Sequence, residues 1–256
     1  MTTTALVTEN NEDRRFGGLS RLYGASGAQR IRQAHVVVVG VGGVGSWAVE
    51  CLARSGVGQL SLIDMDHVSE SNINRQLHAV SDTLGQSKVL AMQDRVLQIN
   101  PACVVHVIDD FITPENTQEL LPSGIDAVID ACDQVSAKVA LAAWAMTHHA
   151  RLVTVGAAGG KRQAHLVDMA DLAQATHDPL LAQVRQRLRK HHAAPAGGAA
   201  FGVQSVFSKE RVLMPAKESE ASRDSSLNCH GYGSVVTVTA TFGNCAASWV
   251  LNELAA

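Results

Sequence analysis

Between residues 64 and 133 the chain carries charged and amide side chains of the types that bind a nucleoside triphosphate and its metal ion. They comprise two cations, three carboxylates and two amides: Arg75, Lys88, Asp64, Asp66, Asp133, Asn72 and Gln76. Fixed cations can bind the phosphates of a nucleoside triphosphate and offset the charge that develops on a leaving pyrophosphate. A carboxylate at the C-terminal edge of a sheet can hold Mg²⁺, a hard ion that prefers oxygen ligands. These residue types therefore predict chemistry on a triphosphate.

A glycine-rich loop precedes these residues. Its glycines fit the pattern G-x-G-x-x-G and are Gly40, Gly42, Gly43 and Gly45. Glycine allows a tight turn and a close approach to a phosphate, and the helix predicted to follow offers N–H groups with partial positive charge. Asp64 is the first acid after the second predicted strand, at the distance expected of a residue that binds ribose hydroxyls. Taken alone, the loop supports NAD, FAD or ATP almost equally.

The cations after the loop favour ATP. An NAD-dependent dehydrogenase has no need for Arg75 and Lys88 beside its cofactor, whereas an enzyme that breaks a triphosphate does. Each polar residue also has a simpler interpretation. Asp66 could only cap the loop, Asn72 could satisfy the backbone of a turn, and Lys88 could be a solvated helix lysine. The spacing of the whole set favours the functional interpretation.

The elements that position this set alternate between strand and helix. Short apolar runs predict strands over 35–39, 59–63, 103–108, 125–129 and 152–155, and helical spacing predicts helices over 44–54, 88–99 and 137–148. This alternation predicts an α/β fold, a Rossmann-like and mostly parallel sheet with helices on both faces.

The rhythm changes after Gly156, where we expect a smaller C-terminal extension of short strands and helices. It comprises a helix over 179–190, strands over 203–207 and 212–213, and a final helix over 235–254, where β-branched residues also suggest a strand. We expect a disordered tail over 1–14 and one domain over 15–256. The nucleotide-binding core would cover 15–156, and a substrate and dimer region over 157–256 would include a mobile loop at about 216–230.

Composition excludes several classes of protein. The net charge of −3 gives no global basic field, so any contact with RNA requires a local patch. The five cysteines form no Cys-x-x-Cys pair, which predicts no zinc site and a reducing, cytoplasmic compartment. The apolar stretches are too short to cross a bilayer as helices.

The succession of motifs resembles a known superfamily. After the glycine loop come D-x-D at 64–66, N-x-x-R-Q at 72–76, G-x-x-K at 85–88 and D-x-x-D at 130–133. This succession resembles the superfamily of ubiquitin-activating enzymes and their bacterial relatives ThiF and MoeB. The resemblance implies that Asp64 binds ribose and that Asp133 holds Mg²⁺. It also implies that the phosphates are bound by Asn72, Arg75, Gln76 and Lys88.

Arg15, just before Phe16, matches the N-terminal arginine that reaches the ATP of the partner protomer in this superfamily. The match implies a homodimer with two composite sites.

Four further segments, at 15–24, 168–190, 227–233 and 237–243, resemble one branch of the superfamily, the tRNA threonylcarbamoyladenosine dehydratases. The branch implies ATP-dependent dehydration, with cyclisation, of threonylcarbamoyladenosine in tRNA through an acyl-adenylate. The alternative is adenylation of the C-terminus of a ubiquitin-like sulfur-carrier protein, which the missing zinc pairs disfavour. An NAD(P) oxidoreductase and a non-catalytic adaptor are further alternatives.

The resemblance also bears on groups outside the phosphate site. It makes Cys229 a candidate catalytic cysteine, with a structural or regulatory thiol as the equal alternative. The basic run Arg185, Arg187, Arg189, Lys190, His191 and His192 is a candidate contact for tRNA phosphates, with a solvated helix face as the alternative. A monovalent alkali cation and a cysteine-desulfurase sulfur acceptor are further implied partners.

Overall fold

The structure is a computed structural model that describes residues 3–213 and 232–256, with side chains from residue 14 onward. Within these ranges the chain forms one seven-stranded sheet of order β3-β2-β1-β4-β5-β7-β6. The strands are β1 His35–Val39, β2 Gln59–Ile63, β3 Val104–Ile108, β4 Ala127–Asp130, β5 Leu152–Val155, β6 Val167–Asp171 and β7 Gln204–Ser208. All neighbours pair in parallel except β6, which is antiparallel to β7.

Helices cover both faces of the sheet. In the described ranges they are α1 Thr3–Gln33, α2 Gly45–Arg54, α3 Lys88–Ile99, α4 Thr117–Leu120, α5 Val135–His148, α6 Pro179–His191 and α7 Val236–Ala255. Along β1, Val36 and Val38 join the apolar cluster that contains α2, α3 and α7, whereas Val37 and Val39 join the cluster with α5 and α6. Because side chains alternate along a strand, a run of valines serves both cores at once. The predicted α/β sheet with helices on both faces is confirmed.

The final segment is helical, as its apolar spacing predicts. Val238, Phe242, Ala246 and Val250 are fully buried along one side of α7, despite the β-branched residues around them. Gly243 allows the close approach of α7 to α2, because a Cβ atom there would overlap the carbonyl oxygen of Val44. Packing of one apolar stripe therefore decides the conformation over local β propensity.

Two strand assignments differ from the sequence prediction. The strand predicted over 212–213 is wrong, because Leu213 lies outside the sheet and donates its N–H to the carbonyl of Gly160 at 2.9 Å. Conversely, β6 forms an edge strand at the start of the segment 168–190, where no strand is predicted from the sequence. Its residues, Val167–Asp171, are half-buried and include two aspartates, so no apolar run announces the strand.

Helix α1 begins at Thr3, whereas the sequence predicts a disordered tail over 1–14. Residues 3–16 contain neither glycine nor proline, the residues that oppose helix formation most strongly. The helix is interrupted at Gly24, which has φ of +73°. The mobile loop predicted at about 216–230 lies outside the described residues. No helix within the described ranges is both long enough and apolar enough to span a bilayer.

Candidate nucleotide-binding site

Strand register brings the predicted motifs to one edge of the sheet. Val39, at the end of β1, pairs with Ile63 of β2 and with Asp130 of β4. The glycine loop, the segment from Asp64 and the segment from residue 131 therefore leave the sheet at the same level. In a parallel α/β sheet, the crevice at the C-terminal ends of the strands is where ligands bind.

The glycine loop is packed too closely for side chains at two positions. Gly40 has φ of +82°, and a Cβ atom there would lie 2.8 Å from the backbone nitrogen of Cys132. A Cβ atom at Gly45 would overlap the carbonyl oxygen of Gly40. The turn from β1 into α2 thus presses against the loop between β4 and α5. At Gly42, by contrast, a Cβ atom would meet only Gln76, at 3.8 Å, which leaves the backbone accessible to a phosphate.

Asp64 connects the glycine loop to the segment after β2. One carboxylate oxygen accepts the N–H of Val41 at 2.6 Å, and the other accepts the N–H of Asp66 at 2.8 Å. The side chain is buried. Burial raises its pKa, and the nearby charge of Lys88 opposes that rise. Each oxygen retains a second lone pair, so Asp64 can still accept a hydrogen bond from a ribose hydroxyl.

Lys88 is the first residue of α3 and is not a solvated helix lysine. Its side chain is 7% exposed, and its Nζ donates to Oδ2 of Asp66 at 2.6 Å. Its backbone N–H donates to the carbonyl of Asp66 at 3.0 Å. The ammonium therefore lies at the N-terminal end of α3, beside the Asp64–Asp66 segment. A phosphate there would be attracted both by the ammonium and by the partial positive charge of the helix end.

Asn72 and Arg75 lie in the turn that follows. The side-chain oxygen of Asn72 accepts the N–H of Ser69 at 3.1 Å, so this residue caps the turn, as the simpler interpretation expects. Arg75 donates from Nη1 to the carbonyl of Ser71 at 2.7 Å and to Oδ1 of Asn74 at 2.9 Å. Its Cγ would be 3.3 Å from a Cβ atom at Gly43, which places the side chain over the glycine loop.

Three side chains in the segment 76–87, which leads to Lys88, have buried polar atoms without a hydrogen-bond partner in the described structure. They are Oε1 of Gln76, both ring nitrogens of His78, and Oγ of Ser87. An unpaired buried polar group costs about 1–3 kcal/mol, so native structures rarely leave several together. Burial, with a smaller contribution from Lys88, lowers the pKa of His78 to about 4. These polar atoms can therefore form hydrogen bonds with a bound ligand.

His78 and Ser87 were not predicted from the sequence. Both adjoin predicted site residues, since His78 follows Gln76 by two positions and Ser87 immediately precedes Lys88. Adjacency to the two motifs was the available signal. It does not by itself separate a buried polar group from a solvated one.

Asp133 lies in the loop between β4 and α5, with its carboxylate open to solvent. The protein atoms around it raise its pKa; Lys138 and Lys88 oppose this rise and Asp66 reinforces it. The charges of Lys88 and Asp66 therefore act on Asp133, as expected of groups that share one crevice.

The acidic groups fit magnesium bound together with a nucleotide. No cluster of three or more His, Cys, Asp or Glu side chains suited to a metal ion occurs among the described residues. Mg²⁺ is usually held by one or two carboxylates together with substrate phosphates and water. Asp133, with Asp66 close enough to influence its charge, matches this arrangement.

Comparison with known proteins places the chain in a family. The sequence profile of the ThiF family matches residues 15–255, almost the whole chain. The chain belongs to the ThiF family. It is 44% identical over 256 residues to the tRNA threonylcarbamoyladenosine dehydratase of Haemophilus influenzae, covering 99% of this chain and 98% of that protein. It is 43% identical over 251 residues to the Escherichia coli protein of the same name, covering 94% of each.

The fold agrees with a solved structure in the same group. The crystal structure of the E. coli tRNA N6-threonylcarbamoyladenosine dehydratase, TcdA, in complex with ATP superposes with a TM-score of 0.86. The two chains are 42% identical, and the match covers 94% of each. The predicted membership of the superfamily, and of this branch, is confirmed.

Arg15 of this ThiF-family chain lies away from the crevice of the same chain. Its Nη1 donates to the carbonyls of Gln98 at 3.1 Å and Ile99 at 2.6 Å, at the C-terminal end of α3. Lys88 begins the same helix, and a rise of 1.5 Å per residue separates the two ends by about 17 Å. A role for Arg15 at the nucleotide of a partner protomer remains a prediction.

Cys229 lies outside the described residues, and the described residues on either side of that segment meet at Gly160. Gly160 accepts the N–H of Leu213 and donates its own N–H to the carbonyl of Gly233, both at 2.9 Å. Asn74 donates from Nδ2 to the carbonyl of Ser234 at 2.9 Å. The returning chain therefore enters α7 beside the turn that carries Arg75.

The predicted basic run lies on α6. Arg187 and Lys190 are exposed, whereas Arg185 is half-buried, and burial lowers its pKa. Arg189 stacks over the ring of Phe201, with 5.3 Å between the guanidinium carbon and the ring centroid. Arg187 and Lys190 can therefore reach a phosphate, whereas burial restrains Arg185 and ring stacking restrains Arg189.

Proposed function

We propose that this chain dehydrates threonylcarbamoyladenosine in tRNA to its cyclic form, using ATP and passing through an acyl-adenylate. The observation that carries the proposal is the match, over nearly the full length, to relatives named tRNA threonylcarbamoyladenosine dehydratase. One such relative has been solved in complex with ATP. The crevice described above supports the same conclusion, because its cations and carboxylates suit a triphosphate.

Activation is needed because a carboxylate is a poor electrophile. The carboxylate of the modified base attacks the α-phosphorus of ATP, and pyrophosphate leaves. The carbamoyl oxygen of the same group then attacks the acyl carbon, a carbamoyl nitrogen loses its proton, and AMP leaves with the former carboxylate oxygen. The second step is intramolecular, so proximity accelerates it without a covalent enzyme intermediate.

The side chains divide this work by charge. Lys88 and Arg75 bind the phosphates and offset charge on the departing pyrophosphate. Asp64 accepts from the ribose, while Gln76 and Asn72 complete the wall of the crevice. Asp133 would hold Mg²⁺, which when bound would neutralise phosphate charge. Asp66 is 56% exposed and can move away from Lys88 when a phosphate replaces it.

The wider proposal concerns partners. A cytoplasmic homodimer would bring Arg15 of one protomer to the nucleotide of the other. The exposed cations Arg187, Arg189 and Lys190 of α6 would contact tRNA phosphates. Cys229, an alkali cation and a cysteine-desulfurase sulfur acceptor remain expectations from the family resemblance.

The deciding experiment is incubation of the protein with ATP and tRNA that carries threonylcarbamoyladenosine, followed by mass spectrometry of the nucleosides. We expect the modified nucleoside to lose the mass of one water only when ATP is present. AMP and pyrophosphate should form in equal amounts. Adenylation of a double-glycine carrier protein with no change in the nucleoside would refute the proposal.

A further inference from the structure

A buried lysine lies behind the candidate magnesium site. Lys138, in the first turns of α5, is fully buried, and so are its neighbours Asp130 and Thr154. Its Nζ donates to Oδ1 of Asp130 at 3.1 Å, to the carbonyl of Asp130 at 3.2 Å and to Oγ1 of Thr154 at 3.4 Å. An ammonium has three donors, and all three are used here.

The group joins three elements at one point. Asp130 ends β4 and pairs in register with Thr154 of β5, whose hydroxyl donates to Oδ2 of Asp130 at 2.6 Å. The thiol of Cys132 donates to Oδ1 of the same carboxylate at 2.9 Å. The loop that carries Asp133 thus begins at Asp130 and ends in the helix that supplies Lys138.

The opposite side of this loop is also fixed. Gly40 of the glycine loop lies against the backbone of Ala131 and Cys132 so closely that no Cβ atom would fit. The loop is therefore held between the nucleotide-binding turn and the buried ion pair. Asp133, the exposed acid of this loop, therefore projects from a segment with little freedom to move.

Stability alone is a weak reason for such an arrangement. Desolvating two charges often costs as much as their attraction returns, and apolar residues of similar volume can do equally well. The position of the pair suggests a different purpose. Lys138 and Asp130 lie at the two ends of the segment that carries Asp133, and Lys138 bonds both the carboxylate and the backbone carbonyl of Asp130.

We propose that Lys138 is a positioning residue that, through Asp130 and the β4–α5 loop, holds Asp133 in place to bind Mg²⁺ with ATP. The inference rests on the proposed function, since it takes Asp133 as the magnesium ligand. Lys138 itself touches neither metal nor nucleotide. Groups that orient a metal ligand from behind typically affect metal affinity strongly.

The test is a binding measurement that requires no turnover. Isothermal titration calorimetry gives the ATP affinity of each variant with and without Mg²⁺, and thermal unfolding reports on the fold. The main variant is Asp130→Asn combined with Lys138→Met, because it removes both buried charges together and leaves no unpaired ion. Thr154→Val is the milder second variant, because it replaces one hydroxyl by a methyl group of similar volume.

We expect the double variant to bind magnesium-free ATP like the wild type. The factor by which Mg²⁺ raises its ATP affinity should be at least about tenfold smaller than in the wild type. Thr154→Val should show a smaller loss in the same direction. A purely structural role would change unfolding, not the Mg²⁺ enhancement alone. Full enhancement in a folded double variant would overturn the inference.

Asp133→Ala separates this inference from the proposed function. If Asp133→Ala abolishes the Mg²⁺ enhancement while the double variant retains it, only the role of Lys138 is refuted. If Asp133→Ala retains the enhancement, the assignment of Asp133 as the magnesium ligand fails, and the inference about Lys138 fails with it.

Discussion

The ammonium nitrogen of Lys88 lies 2.6 Å from a carboxylate oxygen of Asp66, yet Lys88 is 7% exposed and Asp66 is 56% exposed. The lysine is thus held inside the crevice, while its partner faces solvent and can be displaced. A triphosphate would take over the interaction without exposing the lysine. Lys88 and Asp66 should therefore respond differently to mutation.

We expect Lys88→Ala to lower kcat by about 10²–10³-fold, the usual loss when a fixed donor to developing charge is removed. Asp66→Asn should retain nucleotide binding, since Lys88 keeps its charge. Steady-state formation of AMP with modified tRNA measures both effects.

The control is Lys209→Ala. Lys209 forms a 2.5 Å ion pair with Asp168, but its side chain is 58% exposed. Removing a surface pair of this kind changes stability by about 0–1 kcal/mol, so activity should stay near that of the wild type. Equal losses for Lys88→Ala and Lys209→Ala would contradict the phosphate role.

Asp133→Ala should reduce turnover at least about 100-fold, because the metal that offsets phosphate charge loses its protein ligand. The matched variant is Asp109→Ala, which removes another exposed acid just after a parallel strand, β3, at the same edge of the sheet. Titration of activity with MgCl₂ distinguishes the two variants. Near-normal turnover by Asp133→Ala would mean that the metal is held elsewhere.

His78 should make stability depend on pH. Its pKa is lowered from 6.5 to about 4 because burial disfavours the imidazolium, and the charge of Lys88 adds to this effect. The unfolded chain therefore binds a proton first as pH falls. The stabilising contribution is complete above about pH 6.5 and is lost progressively down to about pH 4. Between pH 7.5 and pH 5 it should amount to about 2 kcal/mol.

Urea unfolding at pH 7.5 and pH 5 measures this contribution. The wild type should lose more stability between the two values than His78→Gln, which cannot titrate. His191→Gln, at an exposed histidine of α6, should behave like the wild type. The same pH response in His78→Gln and wild type would exclude a buried neutral imidazole.

Gly160→Ala should destabilise the protein by about 1–3 kcal/mol, the usual cost of a left-handed backbone in a residue with a side chain, with a steric term in addition. Gly160 has φ of +71°, and a Cβ atom would lie 2.8 Å from Cγ1 of Val212. Gly197→Ala provides the comparison, because Gly197 has φ of +68° with no atom within 4 Å of a Cβ.

The difference in melting temperature between these two variants isolates the contact with Val212 from backbone strain. Turnover should also fall more in Gly160→Ala, because this glycine anchors Leu213 and Gly233. Identical melting temperatures and turnover would show that the anchor tolerates displacement.

Arg187→Ala and Lys190→Ala should each weaken tRNA binding. Each should also lower the slope of log Kd against log salt concentration by about one, because one phosphate contact is lost. Affinity for ATP should not change. Arg151→Ala is the control, since Arg151 just precedes β5 at the opposite edge of the sheet and pairs with Glu253 at 3.8 Å. An unchanged salt slope in both α6 variants would remove this helix from the tRNA surface.

Much of the sheet could be predicted because its signals are local. The run of valines at 36–39 has to be buried on both faces, and β1 has the predicted bounds. The glycine loop was equally predictable, since Gly40 and Gly45 occupy positions where a side chain would collide with backbone. In contrast, β6 lies at an edge with half of its surface open, so it needed no apolar pattern.

The parts of the site that escaped prediction depend on long-range burial. Nothing in the sequence around Lys138 distinguishes it from a solvated lysine near the start of a helix. Its burial follows from the packing of α5 against the sheet, where the register of β4 and β5 places Asp130 beside Thr154. Asn72 is the opposite case, because the sequence marks it as a site residue and its side chain also accepts the N–H of Ser69 within its own turn.

Val39 pairs in register with both Ile63 and Asp130. The relative positions of the three segments that form the crevice are therefore set by strand register and not by the loops themselves. Deleting one residue from β4 would turn Asp130 towards the other face and separate it from Lys138. Evolution of substrate preference in this scaffold should therefore proceed by exchanging loop side chains, while strand lengths stay constant.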